Sequence, residues 1–281
     1  MIRKSIRPGG MRGYLFAAVA TGMLMFAHAA VAADAAALID NALAGAHRSE
    51  ANKERDQYRH PKETLLFFGL KPDMTVVEIT PGGGWYTEVL APVLRDKGTF
   101  YAASYRITEE SRDFFRKMDA RYRAKLESAP EMYGKVRLVH FDAASPEFAP
   151  AGSADMVLTF RNVHNWAKAG TAESMFRGFA AALKPGGVLG VVEHRARPGA
   201  SFEKQIQSGY MTEDYVIGVA KQAGFRLVAR SEINANPKDT TDHPGGVWNL
   251  LPNLRNVPDA DIEKMRAIGE SDRMTLRFVK D

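Results

Sequence analysis

Thr75-Val76-Val77-Glu78-Ile79-Thr80-Pro81-Gly82-Gly83-Gly84-Trp85-Tyr86-Thr87 is the stretch that decides the fold. It reads as strand, glycine loop and helix. Thr75 to Ile79 is a short, largely β-branched run with an acid near its end, and three glycines follow where the backbone must turn and leave room for a ligand. Tyr86, Val89, Leu90, Val93 and Leu94 then recur at helical spacing, giving one apolar stripe able to pack back on a sheet. Pro92 lies off that stripe and removes a helical hydrogen bond, so a kink or a short segment is expected. A buried strand feeding a glycine loop and a helix N-terminus is the ligand edge of an open α/β sheet, because free amides and the helix dipole meet there.

Working outward, strand and helix alternate. Thr99 to Ala103 is a second strand, and Glu109 to Leu126 reads as an amphipathic helix in which Phe114, Phe115, Met118, Tyr122 and Leu126 cover one face of the sheet. Val136 to Asp142 is a third strand and Ala154 to Phe160 a fourth, followed directly by Arg161-Asn162-Val163-His164-Asn165-Trp166. A helix near Thr171 to Leu183 runs into Lys184-Pro185-Gly186-Gly187, and the fifth strand, Val188 to Glu193, delivers His194 and Arg195 at its C-terminal end. A helix over Thr212 to Ala223, a strand over Phe225 to Ser231 and a last alternating strand over Met274 to Val279 complete the set. This alternation predicts a mostly parallel sheet covered on both faces. Residues 236–271 fit neither period and are rich in Pro, Asp, Asn and Gly, with one helix expected near Ala260 to Ile268.

The 281 residues are 45% hydrophobic and 25% charged, the composition of a globular protein with one main core. Residues 1–33 carry four basic residues and no acid, and without them the formal charge falls from +5 to +1. The basic balance therefore points to no nucleic-acid partner. That segment has a basic start, an apolar run from Tyr14 to Ala27 and small residues before Asp34, the pattern of a secretory signal peptide, so an exported protein, periplasmic or secreted, is expected, touching a membrane only through its leader. The chain has no cysteine. Residues 34–62 read as a solvated, charged helical arm, and residues 63–281 as one domain with the insertion 236–271. Arg59 and His60 read as a polar helix boundary.

On these residues the chain resembles the SAM-dependent methyltransferases of the Rossmann-like class over about Glu63 to Lys280, and more closely a group of exported predicted methyltransferases with Gly-Gly-Gly-Trp-Tyr-Thr in the loop. Glu78 to Gly84 matches the acid-to-glycine loop, Leu183 to Gly187 the turn before the fifth strand, and Ala223-Gly224-Phe225 the turn before the sixth. The resemblance implies an α/β Rossmann-like methyltransferase fold: a seven-stranded, mostly parallel sheet with an antiparallel last strand and helices on both faces. It implies SAM as cofactor, a small-molecule substrate, and cofactor contacts from Glu78, Thr80, Gly82, Gly83, Gly84, Ser104 and Asp142. Two positions depart from the pattern. Thr80 stands where the loop's first glycine is usual, and Ser104 stands where an acid normally holds both ribose hydroxyls.

Methyl transfer to oxygen or nitrogen needs an in-line approach and removal of a proton, and a histidine at a strand's C-terminal end suits the second task. His164 and His194 are the candidate bases. Arg161, Asn162, Asn165, Trp166, His243 and Trp248 are candidate substrate contacts, the last two on the expectation that residues 236–271 fold over the pocket with Asp242, His243 or Trp248 facing the substrate. His164, His194, Asp242 and His243 also have metal-ligating chemistry, but no close-spaced ligand motif is present and no metal is assigned. SAM is made in the cytoplasm, so a second reading stands beside the enzyme: an exported, non-catalytic or differently liganded binding protein on a methyltransferase scaffold.

Overall fold

The computed structural model describes residues 34–281; the leader read over residues 1–33 lies outside the described residues. Seven strands form one sheet: β1 Thr75–Ile79, β2 Thr99–Tyr105, β3 Arg137–Phe141, β4 Ala154–Phe160, β5 Leu183–His194, β6 Phe225–Ser231 and β7 Arg273–Lys280. Their spatial order is β3-β2-β1-β4-β5-β7-β6. β1 pairs in parallel with β2 and β4, whereas β7 runs antiparallel to both β5 and β6. The order reverses between β1 and β4, the switch point where an open α/β sheet leaves a crevice at its C-terminal edge.

Alternation along the strands divides the core. Val77 and Ile79 face one layer with Leu189, Val191 and Leu276, and that layer is closed by α8 Val163–Ala169, α9 Ala172–Ala182 and α11 Glu213–Gln222. Val76, Phe100, Leu158 and Val192 face the other, under α1 (residues 34–44), α4 Pro61–Phe68, α5 Thr87–Leu94 and α7 Pro130–Tyr133. Shorter helices α2 Glu50–Lys53, α3 Asp56–Arg59, α10 Phe202–Ser208 and α12 Ile262–Ile268 sit around the C-terminal edge and its connections, and α6 Asp113–Ser128 flanks β2 and β3. Among the described residues no helix is long and apolar enough to cross a membrane.

Four local expectations are corrected. The arm is not a solvated one: Ala35, Ile39 and Ala42 are buried, Arg48 is buried between Asp56 and Glu88, and Asn52 reaches Glu88 at 2.9 Å while its carbonyl accepts from the Trp85 indole at 3.0 Å. Arg48 pairs with Glu88 of the loop helix instead of facing water, while Asp40, Glu50 and Glu54 stay exposed. α6 is not a full cover for the sheet; of its residues only Tyr122 is fully buried, and Phe114 is 63% exposed. The second strand does not stop at Ala103 but runs on to Tyr105, pairing Ser104 and Tyr105 with β3. The Lys184 to Gly187 turn lies inside β5, where pairing with β4 jumps from Ala154↔Leu183 to Met156↔Val188 and the surplus residues bulge outward.

Gly190 shows how closely the layers fit. A Cβ there would come within 2.7 Å of Leu158 Cδ2 and 2.8 Å of the Phe68 ring, so α4 rests on β5 only because that strand has a bare backbone at this point. Gly190→Ala is expected to cost about 1–3 kcal/mol through overpacking. Urea unfolding should show a lower midpoint with an unchanged slope, and an unshifted midpoint would mean the α4 contact is loose.

Candidate active site

A cleft of about 1160 Å³ opens along the C-terminal edge of the sheet. Its β1–β3 half is lined by Thr80 to Gly83, Tyr105 to Ile107 and Ala143; its other half by Arg161, Asn162, His164, His194, Glu270 and Ser271. Phe114, Phe115 and Met118 of α6 also line it, so the apolar side chains expected to pack on the sheet face the cleft instead.

The glycine loop is held from below. Glu78 is buried and accepts from the Thr87 hydroxyl at 2.6 Å, and Thr87 in turn lies 3.0 Å from the Tyr122 hydroxyl, which ties β1, α5 and α6 together. Burial pushes the Glu78 carboxyl up to about 7, against the opposing effects of Thr87 and Lys125. Thr80 has φ +53, a left-handed conformation costly for a β-branched residue, at the position where glycine is usual. A Cβ on Gly82 or Gly83 would meet nothing within 4 Å, so the loop presents open backbone to the cleft. Gly84 differs: a Cβ there would strike Tyr122 and Lys125 at 2.9 Å, and Gly84 does not line the cleft. Its role is close packing against α6.

Ser104 lines a small recess beside the loop, with Thr80, Gly82 and Met118, rather than the main cleft. Asp142 is exposed, accepts from the Ala144 amide at 2.9 Å within its own turn, and is absent from the cleft wall, where Ala143 stands. Trp166 is 1% exposed and packs among Phe176 and Phe179, with its indole donating to Tyr105 at 2.8 Å; it is core, not a pocket wall. Asn162 lines the cleft while donating to the Ile79 carbonyl at 3.1 Å, so it also ties β4 to β1. Arg161, at φ +61, and exposed Asn165 line the same wall.

His164 is buried and its Nδ1 lies 3.0 Å from Glu193 Oε1. Glu193 is 0% exposed, and its oxygens also accept the backbone amides of His164 and His194. A carboxylate whose two oxygens each accept a backbone amide faces Nδ1 as an acceptor, which assigns the proton to Nδ1 and leaves Nε2 as the basic nitrogen. His194 stands 5.2 Å away, centroid to centroid, with Nδ1 on the Ser271 hydroxyl. Burial, with His164 and Arg161 adding to it, pushes the His194 imidazole well below its usual range and keeps it neutral. His164, Glu193 and His194 each offer a ligand atom within 4.8 Å of the others. A cation there would face Arg59, Arg161 and Arg273, the same arginines that depress His194, so the set suits a hydrogen-bonded imidazole with an orienting carboxylate.

The insertion does reach the cleft, through one face. Val247, Trp248, Leu251 to Asn253 and Arg255 line it, and the Trp248 ring lies edge-on to His164 at 6.1 Å. His243 does not: its Nε2 is 2.9 Å from buried Asp239, which also takes the Tyr210 hydroxyl and the Asp272 amide, and this cluster ties the insertion to Tyr210 and to the residue before β7. Asp242 lines a separate surface groove with Arg197. Residues passed over in the sequence complete the wall. Arg59, read as a helix boundary, is 2% exposed and stacks over Trp85 at 4.6 Å, and Arg55 and Glu270 lie beside it. Glu193 left a signal, an acid following Val191 and Val192 in an apolar strand; Arg59 left none, because Trp85 and Glu270 are both remote from it in sequence, and Glu270 left none, because three of its four arginines come from the arm and the end of β4.

The raised Glu78 carboxyl has a measurable consequence. Below about pH 4.5 both folded and unfolded chains hold its proton; between 4.5 and 7 the unfolded chain releases it while the folded one keeps it, so this group's contribution to stability falls as pH rises. Between pH 5 and pH 8 the wild type should lose on the order of 2 kcal/mol relative to Glu78→Gln, measured by urea unfolding of both. Parallel pH profiles would show that Glu78 titrates as an ordinary carboxylate.

No protein-family model and no curated protein matches the chain. Solved structures do. A SAM-dependent methyltransferase from Aquifex aeolicus superposes with a TM-score of 0.54 at 16% identity, covering 81% of this chain and 93% of that one. A SAM-dependent methyltransferase from Methanosarcina mazei gives 0.51 at 12%, covering 77% and 96%. The [4+2]-cyclase SpnF gives 0.54 at 15%, covering 84% and 85%. At these identities the likeness concerns architecture, and the chain has the seven-stranded Rossmann-like fold of the SAM-dependent methyltransferases.

Proposed function

We propose that the protein is a SAM-dependent methyltransferase acting on a small molecule, and that the signal-peptide pattern of residues 1–33 directs its export. One observation carries the enzymatic reading: a single cleft joins an unobstructed glycine loop on the β1–β3 side to a His164–Glu193 pair on the β4–β5 side. The volume suits a cofactor together with a small acceptor. The residues present fit SAM at the loop, where Gly82 and Gly83 leave the backbone open and Glu78 braces the strand end; Tyr105, Ile107 and Ala143 would flank it. When bound, SAM supplies an electrophilic methyl group.

The chain's own residues then orient the acceptor and take its proton. His164 Nε2 is the base, because Glu193 fixes the tautomer and favours the imidazolium that forms, while His194 in its cationic surroundings is a poor proton acceptor. Trp248 walls the acceptor side and excludes water from it. A second reading, a differently liganded binding protein, draws support from the absence of Ser104 and Asp142 from the cleft wall and from the sharing of this architecture with a cyclase.

Calorimetric titration with SAM and S-adenosylhomocysteine separates the two. Gly83→Val should abolish cofactor binding with thermal stability retained, whereas Gly84→Val should lower the melting temperature because its side chain collides with Tyr122. Wild-type protein that binds neither compound would leave the binding-protein reading. In a screen for S-adenosylhomocysteine release over hydroxylated small molecules, His164→Gln should lower kcat by about 10²–10⁴-fold at unchanged cofactor affinity. Export is checked by N-terminal sequencing of the protein from fractionated cells, with a start near Ala33 or Asp34 expected.

A further inference from the structure

Four guanidinium groups meet at one carboxylate beside the cleft. Glu270, 2% exposed, lies 2.7 Å from Arg55 Nε, 3.0 Å from Arg59 Nε, 3.0 Å from Arg273 Nη2 and 3.7 Å from Arg161 Nη1. Among the described residues none of the four has another ion-pair partner within 4 Å, so the cluster holds an excess of buried positive charge. Burial alone would raise the Glu270 carboxyl, but the surrounding arginines hold it well below the usual range. The strain appears on the cations. Burial pushes the Arg59 guanidinium well below its usual value and Arg161 down to about 10.

Arg59 is buried to 2% exposure and its Nη2 has no hydrogen-bond partner among the described residues. A buried charged donor without an acceptor is costly, and such groups are retained where a ligand completes them. Arg55, Arg59, Arg161 and Glu270 all line the cleft. Arg161 follows β4 and Glu270 precedes β7, so the cluster belongs to the β4–β7 side, next to His194, rather than to the glycine loop side.

We propose that this cluster is an oxyanion site and that the small-molecule acceptor carries a carboxylate or phosphate that docks on Arg59 and Arg161. Guanidinium groups match such anions through paired N–H donors, and the excess charge at the cluster supplies the attraction. Docking there sets the acceptor beside His164 and under Trp248. The assignment of the anion to an acceptor rests on the methyltransferase reading; the anion site itself does not.

The experiment is calorimetric titration of the full chain with benzoate, inorganic phosphate and neutral benzamide, with and without saturating S-adenosylhomocysteine. Benzoate or phosphate should bind at least tenfold more tightly than benzamide binds, with an affinity that falls as salt rises and is unchanged by S-adenosylhomocysteine. Arg59→Gln and Arg161→Gln should each weaken the anion at least tenfold and leave S-adenosylhomocysteine within about twofold. Arg55→Gln, 23% exposed against 2% for Arg59, gives the same reading should the Arg59 variant fail to fold. Competition between S-adenosylhomocysteine and benzoate, or a larger loss of S-adenosylhomocysteine than of anion in these variants, would assign the cluster to the cofactor's own carboxylate and overturn the proposal. Anion binding no tighter than benzamide, or unaltered by all three substitutions, would overturn it as well. Anion binding that persists where S-adenosylhomocysteine fails to bind would support the site while removing the methyltransferase reading.

Discussion

Glu270 is the point at which three otherwise separate parts of the chain are joined. It takes Arg55 and Arg59 from the N-terminal helices, Arg161 from the end of β4 and Arg273 from the start of β7. A buried ion-pair cluster adds little stability for its desolvation, but removing one member leaves charges without compensation, so such a cluster fixes geometry firmly. Here it joins the arm, which carries the Trp85 stacking partner Arg59, to the ends of β4 and β7, beside α8 with His164 and the end of β5 with His194. The cleft has a defined width because this carboxylate holds its walls.

The two halves of the cleft are built by different means. The loop half depends on what is missing: bare glycine backbone at Gly82 and Gly83, a tight glycine at Gly84, and a left-handed Thr80 that the braced strand end holds in place. The β4–β7 half depends on charge and hydrogen bonding, with Glu193 orienting His164, Ser271 engaging His194 and Trp248 closing from the insertion. One half is defined by open backbone and the other by polar and charged side chains.

The order of strands was legible because local patterns carry it: β1, β4 and β6 run over the very spans that β-branched and alternating residues mark out, and the glycine loop lies at the C-terminal end of β1. Which residues line the cleft was legible only where a residue follows closely on the C-terminal end of a strand, as for Gly82, His164 and His194. Trp166 and His243 went astray for a physical reason. A tryptophan one helical turn into α8 faces the core, and a histidine four residues from Asp239 finds that carboxylate first. Arg59 was unreadable because its environment is assembled from Trp85 and Glu270, neither of them near it in sequence.

That last separation bears on how the protein acquires its site. The Arg55 and Arg59 contacts to Glu270 close loops of 215 and 211 residues, among the longest the described chain can make. Contacts of such long range form late, since their loop entropy is repaid only when the intervening core is already packed. The arm meets α5 early, through Arg48 and Asn52 on Glu88, but its Arg55 and Arg59 reach Glu270 only after β7 has been added between β5 and β6. A chain halted before residue 270 can build the glycine loop and β1 to β5 and rest the arm on α5 through Glu88, but it lacks both the pairing strand of β6 and the carboxylate that gathers the four arginines, so the β4–β7 side of the cleft is completed last.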